Sequence, residues 1–315
     1  MNDSRTFGLA VSGLAVLVAC GIALIQPLFF SAENLANVLR QSVPLVIFAL
    51  AQTIPLVTRG LDLSQGGIIV ATSVAYALLA GQMGSTAAVL PALTVGLATG
   101  CVSGALIAWL EISPFVVTLG IGSVLQGLAL VAADGQPVSN VPADFSALYY
   151  GSVAGLPLPV ALAILLVAVS VVLLDHTVLG RRIRAVGSNP RAAFLSGIPV
   201  RPTLLVAYGI AGLGTSFGAV LLSARISSGH PTAGSGMALQ AVAAAVIGGV
   251  SLFGGRGTML GATAGAILLT FVSNALNILN VSSFLQLVAV GLIIIVAAVV
   301  DRARHNAIQR LEGKA

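Results

Sequence analysis

The chain has 315 residues, of which 57% are apolar and only 7% charged, and its mean hydropathy is +1.07. A soluble domain carries about a quarter charged residues, so 14 basic and nine acidic side chains cannot cover a water-facing surface. Secreted, disordered, fibrous and nucleic-acid-binding classes are excluded together, and the composition is that of a polytopic membrane protein. Two cysteines, Cys20 and Cys101, both inside apolar runs, are too few for a disulfide scaffold or a thiolate metal site.

Asp, Glu, Lys and Arg are missing from 6–32, 41–58, 63–110, 112–133, 145–174, 202–224, 226–255 and 257–300. One helix needs about 20 apolar residues to cross the hydrocarbon, so 63–110 and 257–300 each hold two crossings. Their breaks are Gly81-Gln82-Met83-Gly84-Ser85 and Asn277-Ile278-Leu279-Asn280. The expectation is an all-α bundle of about ten spans. The range is eight to ten, because 226–255 opens polar and Gly-rich and reads as a half-span or re-entrant segment. At the start, Arg5 followed by Leu17-Val18-Ala19-Cys20 imitates a lipoprotein signal. The apolar run continues through Phe30, longer than a signal core of about 7–15 residues, so 7–30 is read as an uncleaved first span.

Ten spans with the N-terminus inside place both termini in the cytoplasm. Arg5, Arg59, Arg181, Arg182, Arg184, Arg191, Arg201, Arg256, Arg302, Arg304, Arg310 and Lys314 then lie inside, and only Arg40 and Arg225 outside. That asymmetry is the positive-inside pattern, and it accounts for the net charge of +5 without a nucleic acid.

The segment Thr58-Arg59-Gly60-Leu61-Asp62-Leu63-Ser64-Gln65-Gly66 opens the third span. Asp62 is read as its cap, with Gln65 three residues on as in a capping box; a proton or ion site is the alternative for a carboxylate at a span edge. Gly96, Gly100 and Gly104, and again Gly257, Gly261 and Gly265, have the spacing that lets helix backbones touch in lipid.

The longest inside loop is 175–203. Asn189 is a good N-cap and Pro190 suits the first helical position, while Gly197 and Pro199 stop the helix. Residues 190–196 should form a two-turn helix outside the membrane. It is too short to stand alone, and spacing leaves two readings open: packing on its own membrane domain, or docking of a cytoplasmic partner.

Other patterns carry less. Gly214-Thr215-Ser216-Phe217-Gly218 matches a nucleophile elbow, but it lies within a span with only His230 near as a base. The Gly cluster 231–257 lacks the G-K-[ST] of a nucleotide-binding loop, since no Lys precedes Lys314. No catalytic residue and no metal ligand set is assigned. Asn274, Asn277 and Asn280 recur on one helical face, as candidates for lining a path or for gluing helices.

Thr58 to Gly66 (TRGLDLSQG), Gly187 to Ile198 (GSNPRAAFLSGI), Pro231 to Gly236 (PTAGSG), Val246 to Gly257 (VIGGVSLFGGRG) and Val281-Ser282-Ser283 resemble, in order and spacing, the permeases of ribose-type sugar ATP-binding-cassette importers. The resemblance covers about residues 27 to 301. It implies a type II-like permease, a single membrane domain over 1–315 in the bacterial inner membrane, with a coupling loop at 175–203 and a cytoplasmic tail at 301–315. It implies ATPase coupling through Asn189, Pro190, Arg191, Ala192, Ala193, Phe194, Leu195 and Gly197. Structural and pathway roles are implied for Gly60, Asp62, Ser64, Gly66, Gly234, Gly236, Gly254 and Gly255, with Asn274 and Asn277 as further pathway candidates. The implied partners are a second permease, two cytoplasmic ATPases holding the ATP and magnesium, a periplasmic solute-binding protein and lipid. The chain itself binds no cofactor in this reading.

Two departures stand out. The loop lacks the family's usual Glu near Pro190 or Arg191, and Ala238 and Gln240 stand where an acidic residue and an Asp are usual. A homodimer would lack these carboxylates twice, so a heterodimer with a related permease is expected. An ion-coupled carrier is the rival reading; it usually needs an ionisable group in mid-membrane, and here every charge sits at a span edge.

Overall fold

The computed structural model describes residues 27–312 apart from Asn140, Ala154 and Ser235. The expected first span over 7–30 lies outside them except for Pro27–Phe30, a 3₁₀ turn. Seven helices are long and apolar enough to cross a membrane. They are α1 (Ala32–Val57), α2 (Ser64–Met83), α3 (Ser85–Trp109), α4 (Pro114–Ala132), α6 (Leu158–Val171, continued by a π turn over Val172–His176), α9 (Val200–Ile226) and α11 (Met259–Ile278). Between and after them lie α5 (Ala143–Tyr150), a hairpin of β1 (Ser152–Val153) and β2 (Leu156–Pro157), α7 (Val178–Ser188), α8 (Pro190–Leu195), α10 (Met237–Ile247) and α12 (Ser283–Glu312). The chain is a polytopic helical membrane protein.

Local chemistry sets these limits. Ser31 caps α1 by accepting the Asn34 N–H. The expected break at 81–85 is real: Gly84, with φ 87°, ends α2 and starts α3 in a conformation that costs a residue without Cβ nothing. The second expected break, 277–280, separates α11 from α12.

α1 is the centre of the bundle, buried on every side from Val46 to Val57. It packs on α9, α11, α10 and α6, and α9 in turn packs on α3 and α2. The Gly-x3-Gly ladders are sites where helix backbones meet. Gly96, Gly100 and Gly104 lie against the α9 backbone at Gly212, Tyr208 and Leu205, and Gly261 and Gly265 lie against Gly248 and Ala244 of the α10 region. A polar seam joins α2 to α9: Gln65 donates to the Phe48 carbonyl and to Thr215, Thr72 bonds Ser216 at 2.9 Å, and Ser73 bonds Ser223 at 2.9 Å. Outer faces of α3, α4, α6 and α12 expose large apolar side chains such as Leu90, Val131, Leu165 and Phe284, as lipid-facing helices must.

Region 226–255 is no full span. α10 has 11 residues, about 16 Å of helix. The stretch before it passes along α2 in a series of turns, with Gly229 against Ser73 and Ala77 and Gly234 against the Gly66 carbonyl. Gly229 and Val138 exchange both backbone hydrogen bonds, 2.8 and 2.9 Å, so this stretch has its polar groups paired inside protein.

The two ends of the bundle differ in charge. One carries Arg59, Arg181, Arg182, Arg184, Arg191 and Arg201. At the other, α5 lies across the helix ends: Tyr149 donates to the Arg40 carbonyl, Tyr150 to that of Arg225, Ser227 bonds Ser146, and Ser85 bonds Asp144.

Candidate functional site at the arginine-rich end

Three pieces of chain meet at the arginine-rich end: α7 with α8, the linker 58–63 between α1 and α2, and the loop 248–258 between α10 and α11. Their contacts are made by backbone. α7 is amphipathic and buries Gly180, Ile183, Val186 and Gly187. A Cβ at Gly187 would overlap the Val57 carbonyl at the end of α1, so only glycine allows this approach. The Gly255 N–H donates to that same carbonyl at 2.9 Å. Gly254, with φ 78°, lies against the Gly187 carbonyl and the Arg59 backbone.

Side chains then lace the pieces together. The Arg184 guanidinium pairs with Asp175 and donates to the Gly257 carbonyl at 2.9 Å. Arg59, in a left-handed conformation with φ 71°, donates from Nε to the Phe253 carbonyl at 2.9 Å.

The linker 58–63 is gripped from both sides. Gln52 presents its amide to the Asp62 backbone, accepting from its N–H at 3.2 Å and donating to its carbonyl at 3.1 Å. Thr118 of α4 repeats the grip: its hydroxyl accepts from the Leu63 N–H at 3.1 Å and donates to the Leu61 carbonyl at 3.0 Å. Gly60 packs under the Tyr208 ring. The Asp62 carboxylate is buried and accepts from the Ser64 N–H at 3.0 Å and hydroxyl at 2.5 Å. The cap therefore acts on the first residue of α2, and the expected reciprocal bond from Gln65 does not form. Gln65 is drawn instead into the seam with Phe48 and Thr215, where a buried amide has two partners.

α8 hangs from this junction. Asn189 Oδ1 accepts from the N–H groups of Arg191 and Ala192 at 3.1 Å each, and the Ile198 N–H returns to the Ala193 carbonyl at 3.0 Å with Gly197 at φ 78°. Ala193 is buried, whereas Phe194 is 71% and Leu195 85% exposed. Beside them opens a groove of about 1070 Å³ lined by Ile107, Ile112, Pro114, Phe194, Leu195 and Pro199. Arg201 and Glu111, 3.4 Å apart, stand on its rim.

The remaining predicted residues fall elsewhere. Gly66 and Gly234 touch backbone to backbone, and Gly236, with φ 81°, starts α10. Asn274 is buried and exchanges two hydrogen bonds with Asn34 of α1, 3.1 and 3.2 Å. Asn277 is exposed and accepts from Gln286 of α12 at 2.8 Å. These two asparagines thus serve different neighbours. The Ser216 hydroxyl bonds Thr72, while His230 Nδ1 bonds Thr232, so the elbow pattern has no base beside it. Among the described residues no group of three metal-ligating side chains occurs.

The profile of the family described as the permease component of branched-chain amino acid transport systems matches residues 34–298. The chain belongs to this family. Among curated relatives, it is 36% identical over 297 residues to the ribose import permease protein RbsC of Escherichia coli strain K12, covering 93% of this chain and 92% of that protein. It is 34% identical over 291 residues to the D-allose transport system permease protein AlsC of the same organism, covering 92% and 89%. It is 33% identical over 313 residues to that organism's galactose/methyl galactoside import permease protein MglC, covering 93% of each. No solved structure matches.

Within this permease family, the junction of 57–63, 187–188 and 253–257 joins three of the motifs that the sequence displayed separately. Gln52, Thr118 and Tyr208 were missed. Nothing in a Gln or Thr within an apolar run announces that its partner is a backbone 10 or 55 positions away. Glycine density at 187 and 254–255 was the available signal for close approach.

Proposed function

We propose that the chain is the membrane-spanning subunit of an ATP-binding-cassette importer and carries a monosaccharide inward by alternating access. The observation that carries this reading is likeness over about nine-tenths of the chain to permeases whose names specify ribose, D-allose and galactose. The geometry supports it: a capped helix, α8, stands out of the bundle with Phe194 and Leu195 exposed, on a base rigidly tied to α1, α2 and α10. Such a helix receives motion from a partner and hands it to the spans. The chain makes no use of ATP itself; ATP and magnesium belong to two partner ATPases docked on α8 and its groove. In this reading the arginine-rich end is cytoplasmic, in keeping with the Lys and Arg distribution, and a periplasmic binding protein delivers solute at the α5 end.

Sparse charge inside the bundle suits a neutral polyol. Ala238 and Gln240 replace carboxylates usual in such permeases, which favours pairing with a second, related permease over a homodimer. The test is gentle affinity purification from native membranes, mass spectrometry and an ATPase assay, followed by uptake of radiolabelled ribose, allose and galactose. Co-purifying ATPase with turnover and ATP-dependent uptake of one sugar is the expected result. Uptake abolished by collapsing ion gradients but indifferent to ATP depletion would overturn the reading, and an active complex with this permease alone would overturn the heterodimer.

A further inference from the structure

α7 carries three arginines, and the fold treats them differently. Arg184 is spent inside the molecule on Asp175 and the Gly257 carbonyl. Arg181 and Arg182 are exposed and have no acidic partner among the described residues. They share one helix face with Val178 and Ala185, at spacings of three, four and seven. That face is opposite the side of α7 that buries Gly180, Ile183 and Gly187 against the bundle.

The helix that leads into α7 carries a lipid-facing wall. On α6, Ile164 and Leu165, then Val169 and Val172 at steps of four and three, are exposed, an edge suited to acyl chains. α6 leads through its π turn into Thr177, which caps α7 by accepting the Gly180 N–H at 3.1 Å. Val178 is exposed next, and Arg181 and Arg182 follow. The order is apolar wall, apolar shoulder, paired guanidinium groups: the profile of a phospholipid with its acyl chain along α6 and its headgroup at the start of α7. A guanidinium binds phosphate oxygens through parallel hydrogen bonds, and its aliphatic stem tolerates the interface.

We infer that Arg181 and Arg182, with the outer face of α6, form a binding site for the phosphodiester headgroup of an anionic phospholipid. The site requires only the membrane reading of the chain and is independent of which solute is carried. It sits at the base of α7, the helix that supports α8, so an occupied headgroup holds the coupling element's anchor against the bilayer.

Native mass spectrometry of the detergent-purified complex tests it, with phosphatidylglycerol, phosphatidylcholine and inorganic phosphate as probes. The expected result is selective retention of phosphatidylglycerol. R181Q/R182Q lowers that retention about thirtyfold, from roughly fivefold per basic residue at a membrane surface, with melting temperature and phosphatidylcholine retention unchanged; R181K/R182K, which keeps the charge and loses the parallel donors, falls between the two. Should the double variant fail to purify, R182Q alone gives the single fivefold step. Equal retention by R181Q/R182Q and parent overturns the site. Loss of co-purifying ATPase with lipid retention intact also overturns it and gives the face to the ATPase. Displacement of phosphatidylglycerol by millimolar inorganic phosphate overturns the lipid source and leaves a free-anion site.

Discussion

The two ends of the bundle are fastened by different chemistry. At the arginine-rich end, backbone meets backbone: Gly187 on Val57, Gly255 on Val57, Gly254 on Gly187 and Arg59. At the α5 end, side-chain hydroxyls do the fastening, through Tyr149, Tyr150, Ser146 and Ser227, with the Tyr76 and Phe145 rings 5.2 Å apart. Backbone contact leaves no rotamer to absorb a displacement, so a shift of α7 must move α1's end and the 248–258 loop with it. Hydroxyl pins can lengthen, re-aim or exchange for water. One end is tied rigidly, the other by contacts that yield more easily.

That contrast can be broken most forcefully at Gly187. Gly187→Leu drives a side chain into the Val57 carbonyl; a loss of about 3 kcal/mol or more is expected from overpacking against immobile backbone, read as a lowered melting temperature and failed assembly. A G187L protein that is stable and active would remove the rigid junction. Next comes F194D/L195D. Both side chains are exposed, so the isolated permease should melt as the parent does, while ATPase co-purification and sugar uptake fall at least about tenfold, in line with loss of buried apolar contact.

Smaller effects sharpen the picture. Gln52→Leu leaves the Asp62 N–H and carbonyl without their partner, and about 2 kcal/mol is expected. Thr118→Val should act on the same linker, so the double variant should cost less than the sum of the singles in a thermodynamic cycle. At the hydroxyl-pinned end, Tyr149→Phe should cost only about 0.6 kcal/mol, the average for hydrogen bonds between membrane helices. Burial, opposed by Arg225 and Arg40, pushes the Tyr149 phenol from 10.0 up to about 12. Its hydrogen bond therefore stays intact below pH 10 and is lost as pH rises from about 10 to about 12, which Tyr149→Phe should abolish in a pH-melting series.

Much of the fold was legible because membrane helices advertise themselves. Charge gaps located each described span, Gly84 and the 277–280 break divided the two long runs, and the Gly-x3-Gly ladders marked sites where helix backbones meet. Asn189, Pro190 and Gly197 mark out α8 in the sequence itself, since caps are local chemistry. What escaped the sequence was non-local. Gln65 was read as a local capping partner, yet the seam to Thr215 and Phe48 offered a fully buried amide two partners and won. Gln52 and Thr118 grip a linker through its main chain, and no residue type on the linker records that. α5 and its hairpin, too short and mixed for a periodic signal, overlap the start of the 145–174 stretch, which reads only as span.

The half-span has a consequence for how the protein is made. A machinery that releases segments into the bilayer by their own hydrophobicity recognises about 20 apolar residues, and α10 has 11. Its flanks would enter lipid with backbone groups unpaired unless α2 and Val138 already stand ready to receive Gly234 and Gly229. α10 therefore has to enter against protein already in place: α1 and α2 precede it in the chain, and α11 packs on it next. Biogenesis of the last third of the chain is thus a docking event, and on a ribosome stalled far enough past residue 258 for α10 to clear the exit tunnel, α10 should become reachable by water-soluble cysteine reagents when Gly234→Leu blocks its seat on α2.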